Sequence, residues 1–147
     1  EVVNVSEEYY ETFAKFIDRE DVKSRLQYGV KLAWKHREKG DKYYTLVALE
    51  GVGAECRPII DGVGVKAKAN TDRFGNYVEI TYPKHSAQIL EEVTWANVGR
   101  SFAVLLDDEV YSMPTIAGGI TGGKASISGN FTRDEVERLA IAINKDN

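Results

Sequence analysis

The chain has 147 residues, of which 43% are hydrophobic and 29% charged, so we expect one domain with a substantial core rather than disorder. The net charge of −4 argues against a nucleic-acid-binding surface, and no stretch approaches the roughly 18 apolar residues that a membrane span requires. The single cysteine, Cys56, excludes an intrachain disulfide and a zinc site built on cysteine pairs.

The first predicted element is a helix that begins after Ser6. Ser6 is a suitable N-cap residue, and the two acidic residues that follow it suit the positive end of a helix dipole. Apolar residues then recur at helical spacing as far as Ile17, so the helix is expected to end near residues 18–21. Because the chain begins at Glu1 rather than at methionine, we also expect that a segment upstream of it was removed.

Strands are predicted next along the chain. Alternation over residues 30–34 and a run of β-forming residues over 43–49 predict two strands, joined by a polar turn. Residues 51–58 have the composition of a loop. Residues 62–82 predict a hairpin, because apolar and polar residues alternate on both sides of a turn at 73–76.

A second helix is predicted after Pro83, with Gly99 as its C-terminal cap. The apolar run 102–106 then predicts a central strand that is buried on both faces. The acidic triplet at 107–109 allows a calcium site, but calcium loops interleave their ligands around a glycine, which favours a hairpin turn here. The strand that returns from this turn is expected to end at Pro114.

The glycine-rich stretch GGITGGKAS, residues 118–126, partly matches a phosphate-binding P-loop. A P-loop requires a helix directly after its lysine and a hydroxyl residue for Mg²⁺, whereas Lys124 is followed by Ala125 and a strand-like pattern. The last helix is predicted only after Thr132, with Glu135 as its capping-box partner. We therefore interpret the glycines as backbone turns and predict that no nucleotide binds here. Elsewhere in the chain, too, we predict no cofactor or metal site and no catalytic residue.

An ordered set of motifs covers the C-terminal third of the chain. It comprises a helix end, an aspartate turn, a Val-x-Ser-x-Pro strand, a glycine pair and an Ile-x-Gly-x-Phe-Thr element. The principal matching residues are Asn97, Gly99, Arg100, Asp107, Ser112, Pro114, Gly122, Gly123, Gly129, Phe131 and Thr132. Together these motifs resemble the SecD/SecDF family of protein-export accessory proteins, and the hairpin at 58–82 resembles the strand pair before the family's helix. Asp108 departs from the glycine or asparagine that the family often has in this turn.

The patterns and the resemblance together predict a soluble α+β domain over residues 1–147, with antiparallel sheets and about three helices packed on one side. The resemblance divides it into a head-like part at about 1–97 and a βββα part at about 98–147, which is similar to the return to the membrane-proximal base. The motif residues are expected to be structural, and the sequence does not locate a substrate-binding face.

The resemblance implies a non-enzymatic function in Sec-dependent protein translocation. The domain would contact unfolded preprotein on the outer, periplasmic side of the bacterial membrane. The family's transmembrane helices, which are not in this sequence, would connect it to the Sec translocon. The alternative is a free-standing extracytoplasmic module of the same fold that binds peptides or proteins without pump function.

Overall fold

The structure of the protein, a computed structural model, describes residues 2–145. In chain order the elements are β1 (Val2–Ser6), α1 (Glu7–Ile17), α2 (Glu20–Lys23), β2 (Val30–Trp34), β3 (Tyr43–Glu50), β4 (Lys66–Asp72), β5 (Gly75–Thr81), α3 (Lys84–Ala96), β6 (Val104–Leu106), β7 (Glu109–Ser112), β8 (Lys124–Ser128) and α4 (Arg133–Lys145). No helix within residues 2–145 combines the length and the apolarity needed to cross a bilayer.

The chain forms two compact units. The first consists of Glu1–Ile59 with Ala103–Tyr111, and the second of Ile60–Phe102 with Ser112–Asn147. The three-stranded sheets have the orders β1-β3-β2 and β4-β5-β8, and all of their strand pairs are antiparallel. The predicted α+β class is therefore confirmed. The division into parts at about residues 97 and 98, which came from the resemblance, stays a prediction.

In the first unit, α1 packs on the β1-β3-β2 sheet through aromatic side chains. Tyr10 of α1 stacks on Tyr44 of β3 with ring centroids 3.7 Å apart, and its edge meets Trp34 of β2 at 4.9 Å. Ser6 occupies the N-cap position, as predicted, although its side chain makes no capping hydrogen bond. Residues 2–6 form a strand that was not predicted; it pairs with β3, far along the chain.

In the second unit, α4 covers one face of the β4-β5-β8 sheet. Residues Ala69, Val78 and Ile127 are register partners across the three strands, and the last two are almost completely buried. The helix contributes the buried stripe Val136, Leu139, Ala140 and Ile143. The predicted hairpin, the strand after the glycines and the last helix are all confirmed.

The expectation of a central strand over residues 102–106 is wrong. Only residues 104–106 form a strand, β6, and they are half-buried in a two-stranded sheet with β7. The turn between these strands consists of Asp107 and Asp108, with φ angles of 49° and 64°. Two consecutive left-handed residues define the tight hairpin turn whose twist matches the flanking strands. The apolar run 102–106 is typical of a buried central strand, but only its last three residues pair, and they pair with β7 across this two-residue turn.

Candidate functional site

The side chain of Asn144, in the last turn of α4, occupies one edge of the β4-β5-β8 sheet. Its Nδ2 donates to the carbonyl oxygen of Ala67, and its Oδ1 accepts from the Ala67 backbone N–H, both at 2.8 Å. An edge strand otherwise presents such groups to a further strand. The β4 edge is therefore partly closed from within the chain.

The other edge of this sheet is β8, which pairs on one side only, with β5. The Tyr82 N–H donates to the Gly123 carbonyl oxygen at 2.8 Å, which fixes the positions of the hydrogen-bonded pairs in this antiparallel ladder. Bonded and non-bonded pairs alternate along such a ladder. Ala125 and Ile127 are therefore the β8 residues whose backbone groups point toward β5.

The intervening residues Lys124, Ser126 and Ser128 direct their backbone N–H and C=O groups away from the sheet, because successive residues of a strand alternate in direction. All three residues are exposed. We call this row of outward backbone groups the β8 edge. It offers an extended polypeptide the hydrogen-bonding pattern of one more sheet strand.

The face of the sheet opposite α4 is polar and partly exposed. Its two central rows of register partners are Lys68, Glu79 and Ser126, then Asn70, Tyr77 and Ser128. A shallow groove of about 780 Å³ runs over β5 and β8 on this face, from Asp72 and Phe74 at one end to Lys124 at the other. A strand added at the β8 edge would place alternate side chains along this groove, because side chains alternate between the faces of a sheet.

The tip of the β4–β5 hairpin carries an exposed aromatic residue at the end of the groove. Phe74 is 83% exposed, and the Arg73 guanidinium lies 4.7 Å from the centroid of its ring. The Phe74 backbone N–H donates to Asp72 Oδ1 at 2.8 Å, which fixes the turn. With Tyr77 inside the groove, this arrangement provides apolar contact area beside the β8 edge.

The charges near the groove are mixed in sign. Lys68 and Glu79 are register partners, and Lys124 lies at the start of the β8 edge. This mixture of charges is suited to binding a polypeptide backbone and side chains of different kinds.

Two further features concern titratable groups. Burial raises the pKa of the Tyr82 hydroxyl, which lies directly after β5, above its ordinary value. Among residues 2–145, no group of three His, Cys, Asp or Glu could hold a metal ion.

Four predicted motif residues lie together after α3. Asn97 ends the helix; its Nδ2 donates to the Val93 carbonyl oxygen at 2.8 Å, and its Oδ1 accepts from Arg100 at 3.1 Å. The Gly99 N–H donates to the Ile116 carbonyl oxygen at 2.8 Å, and the Phe102 N–H donates to the carbonyl oxygen of Pro114 at 3.2 Å. Asn97, Gly99 and Arg100 thus lie in the turn that follows α3, and Pro114 lies in the antiparallel segment hydrogen-bonded to it.

A second group of motif residues surrounds β8. Gly122 and Gly123 form the turn before the strand, and a Cβ on Gly123 would lie 2.7 Å from Ala87 Cβ. Gly123 also has a φ of +68°, so both the space and the backbone there favour glycine. After β8, Gly129 lies against the ring of Phe131.

Thr132 begins α4 with the predicted capping box. The Thr132 N–H donates to Glu135 Oε2 at 2.8 Å, and the Glu135 N–H donates to Thr132 Oγ1 at 3.2 Å. The remaining motif residues lie elsewhere: Asp107 in the β6–β7 turn and Ser112 at the end of β7. The turns before and after β8 thus hold five of the eleven motif residues: Gly122, Gly123, Gly129, Phe131 and Thr132.

Sequence reasoning did not find Asn144 or the β8 edge. The strand itself was predicted, but its place at the edge depends on the strand order, which joins residues distant in sequence. Asn144 follows the apolar stripe of α4 without a local motif. Only the exposed aromatic in the turn 73–76 was a usable signal, because an apolar ring is unusual among turn residues.

A family model described as "SecDF, P1 head subdomain" matches residues 44–146, which is more than half of the chain. Protein translocase subunit SecD of Calditerrivibrio nitroreducens is 46% identical over 67 residues, which cover 46% of this chain and 13% of the relative. Protein translocase subunit SecDF of Thermus thermophilus is 36% identical over 88 residues, which cover 58% of this chain and 12% of the relative. The match is therefore confined to a small share of these longer relatives.

Solved structures agree with this likeness. One, described as "Structure and function of a membrane component SecDF that enhances protein export", aligns with a TM-score of 0.56 and 28% identity over 97% of this chain and 60% of that chain. Another, a crystal structure of SecDF in its "Super-membrane-facing form", aligns with a TM-score of 0.55 and 25% identity over 95% of this chain and 17% of that chain.

The fold and the comparisons first define a class: an antiparallel α+β module of the kind found within protein-export membrane components. Because the family model covers most of the second unit and β3 of the first, the assignment can be made more specific. The chain belongs to the SecDF P1 head subdomain family, within the SecD/SecDF proteins.

Proposed function

We propose that this chain assists protein export by binding unfolded preprotein through the β8 edge and the adjoining groove. The observation that carries the proposal is the one-sided pairing of β8 beside an exposed sheet face. The relatives named as protein translocase subunits, and a solved SecDF described as enhancing protein export, support the biological setting.

The chemistry of the site fits a client with many different sequences. Every polypeptide carries the same backbone N–H and C=O groups, so addition of a strand recognises an unfolded chain largely without regard to its sequence. A folded protein has already paired most of these groups internally. The β8 edge therefore selects unfolded polypeptides, whose backbone N–H and C=O groups are unpaired, without selecting among their sequences.

The groove adds contact without strong selection. Its lining combines Phe74 and Tyr77 with small hydroxyl residues and both signs of charge. Aromatic rings contribute apolar contact at a small cost in side-chain entropy, whereas serines provide adaptable hydrogen bonds. Such a surface suits brief contact with successive segments of a moving polypeptide.

The wider role is proposed from the family. The chain acts on the outer, periplasmic side of the bacterial membrane, and its function there is binding rather than catalysis. Membrane-spanning parts of the complete protein connect it to the Sec translocon. The names of the relatives as protein translocase subunits support this assignment.

Site-specific photocrosslinking tests preprotein contact. A photoreactive amino acid is placed at Ser126, on the β8 edge, in the complete membrane protein, and a secretory chain is stalled during export. A matched position is Ile141, which is 66% exposed on α4. Crosslinks at Ser126 and few at Ile141 are expected. Equal crosslinking at both positions, or none at Ser126, would contradict the proposed site.

A further inference from the structure

A second cleft lies in the first unit, at one end of the β1-β3-β2 sheet. It has a volume of about 140 Å³, and its lining includes Asn4, Lys35, His36, Arg37, Lys42 and Thr45. This volume is well below the roughly 300–1,000 Å³ of pockets that bury drug-sized ligands. The cleft is therefore sized for a small group.

The three strands of the sheet bring its polar groups together. The Lys35 N–H donates to the Thr45 carbonyl oxygen at 2.8 Å, which extends the β2–β3 ladder by one residue. Thr45 Oγ1 donates to Asn4 Oδ1 at 2.9 Å, across from β3 to β1. Because the Asn4 oxygen is used in this way, its amide nitrogen remains as a donor at the cleft.

Arg37 is held in place by contacts on two sides. Its Nη2 donates to the Asp41 carbonyl oxygen at 2.7 Å, and its guanidinium lies 4.1 Å from the centroid of the Tyr44 ring. Its Nε is buried and has no hydrogen-bond acceptor among the described residues. A buried donor without an acceptor is unfavourable, so an acceptor that reached Arg37 Nε would gain a favourable hydrogen bond.

His36 is fixed by neighbours from the β6–β7 hairpin. Its Nδ1 lies 2.8 Å from Glu109 Oε2, and its ring stacks on Tyr111 with centroids 4.1 Å apart. Its backbone N–H also donates to the Val110 carbonyl oxygen at 2.8 Å. The imidazole therefore forms a rigid part of the wall.

The charge of the cleft is opposite to that of the chain. Its lining contains three basic residues, Lys35, Arg37 and Lys42, and one carboxylate, that of Asp41. The Asp41 Oδ2 already accepts a hydrogen bond from the Glu38 N–H at 2.8 Å. Because the whole chain has a net charge of −4, the excess of positive charge is local to this cleft and favours an anionic ligand there.

We propose that this cleft binds a single phosphate group, either inorganic phosphate or the headgroup of a phospholipid. Phosphate offers several strong acceptor oxygens in different directions, and the cleft is lined by lysine and arginine from the end of β2 and the loop after it, with the Asn4 amide of β1 beside them. The proposal is independent of preprotein binding, because every residue that it uses belongs to the first unit.

The first test follows backbone amide NMR signals while inorganic phosphate is added at constant pH and ionic strength. Saturable shifts are expected for residues 35–42 and for Thr45, with little effect from an equal concentration of acetate. The double variant Lys35→Gln/Lys42→Gln should weaken phosphate binding by about tenfold or more. Lys66→Gln/Lys68→Gln is the matched control, because it removes two exposed charges from the other unit and should leave binding unchanged.

Three results would overturn the proposal: shifts that never saturate, equal shifts with acetate, or equal weakening in the control variant. The source of the phosphate is separated by flotation with phosphatidylcholine vesicles that contain or lack phosphatidic acid. Binding that needs phosphatidic acid, Lys35 and Lys42 identifies the lipid headgroup. Phosphate binding without vesicle binding identifies the free ion, and the absence of both contradicts the site.

Discussion

The side-chain amide of Asn144 makes two hydrogen bonds to the backbone of one residue, Ala67, in the way that a neighbouring strand would. This pair closes the β4 edge at Ala67, while β8 at the other side of the same sheet keeps outward backbone groups. The sheet is therefore asymmetric: one edge is partly occupied by the chain itself and the other is open to a partner.

Replacing Asn144 by alanine should lower the free energy of unfolding by about 1–2 kcal/mol, because two hydrogen bonds are lost at a partly solvated position. Urea denaturation measures the change. Asn144→Asp keeps an acceptor for the Ala67 N–H, but it sets a carboxylate oxygen against the Ala67 carbonyl oxygen and places negative charge in the last turn of α4, so its loss should be at least as large. An unchanged midpoint for Asn144→Ala would show that the pair does not stabilise the fold.

The capping box of α4 gives a second prediction. Thr132→Ala removes the side-chain acceptor of the Glu135 N–H and should cost about 1 kcal/mol of stability. Glu135→Gln should cost less, because glutamine can still accept from the Thr132 N–H. Thermal unfolding of both variants compares their losses of stability. A larger loss of stability for Glu135→Gln than for Thr132→Ala would contradict this explanation of the cap.

These local features of α4 are the part of the fold that the sequence predicts best. The capping box and the stripe ending at Ile143 lie within a dozen residues, and the alternating arms of the β4–β5 hairpin are joined by a short turn. By contrast, β1 was missed because it is short, partly exposed and paired with a distant strand; Asn4 lies opposite Thr45. The same reasoning explains the missed edge, since the position of β8 beside β5 is a long-range pairing.

A substitution in the β6–β7 turn is predicted to raise the free energy of unfolding rather than to lower it. Asp108 adopts a φ of 64°, which glycine adopts without a steric penalty, so Asp108→Gly should stabilise the fold by about 0.5–1 kcal/mol. Asp108 Oδ1 lies 3.9 Å from Lys31 Nζ, but the Asp108 side chain is 96% exposed. This ion pair therefore contributes little to stability. Asp108→Ala is the control, because it removes the same charge and retains the strained backbone. Equal effects of the two variants on the urea midpoint would contradict the backbone explanation.

Burial of Tyr82 predicts a loss of stability at alkaline pH. Its pKa in the folded state is raised above the ordinary value of 10.0, so the folded protein holds this proton more tightly than the unfolded chain does. The resulting stability is fully present below about pH 10 and is lost as the pH rises through the folded-state pKa. Tyr82→Phe should therefore lose less stability than the original chain between about pH 8 and pH 11. Parallel pH dependences in urea denaturation would exclude this contribution.

The central claim is that the outward backbone groups of β8 bind an extended polypeptide. The most direct measurement is the affinity of the chain for a fluorescent unfolded secretory polypeptide, compared between Ser126→Pro and Ser126→Ala. Proline removes the outward N–H of residue 126 without removing a bond to β5, whereas alanine keeps it. We expect binding to weaken by about tenfold for the proline variant and by less than about twofold for the alanine variant. Equal affinities of the two variants, with both still folded, would contradict the claim.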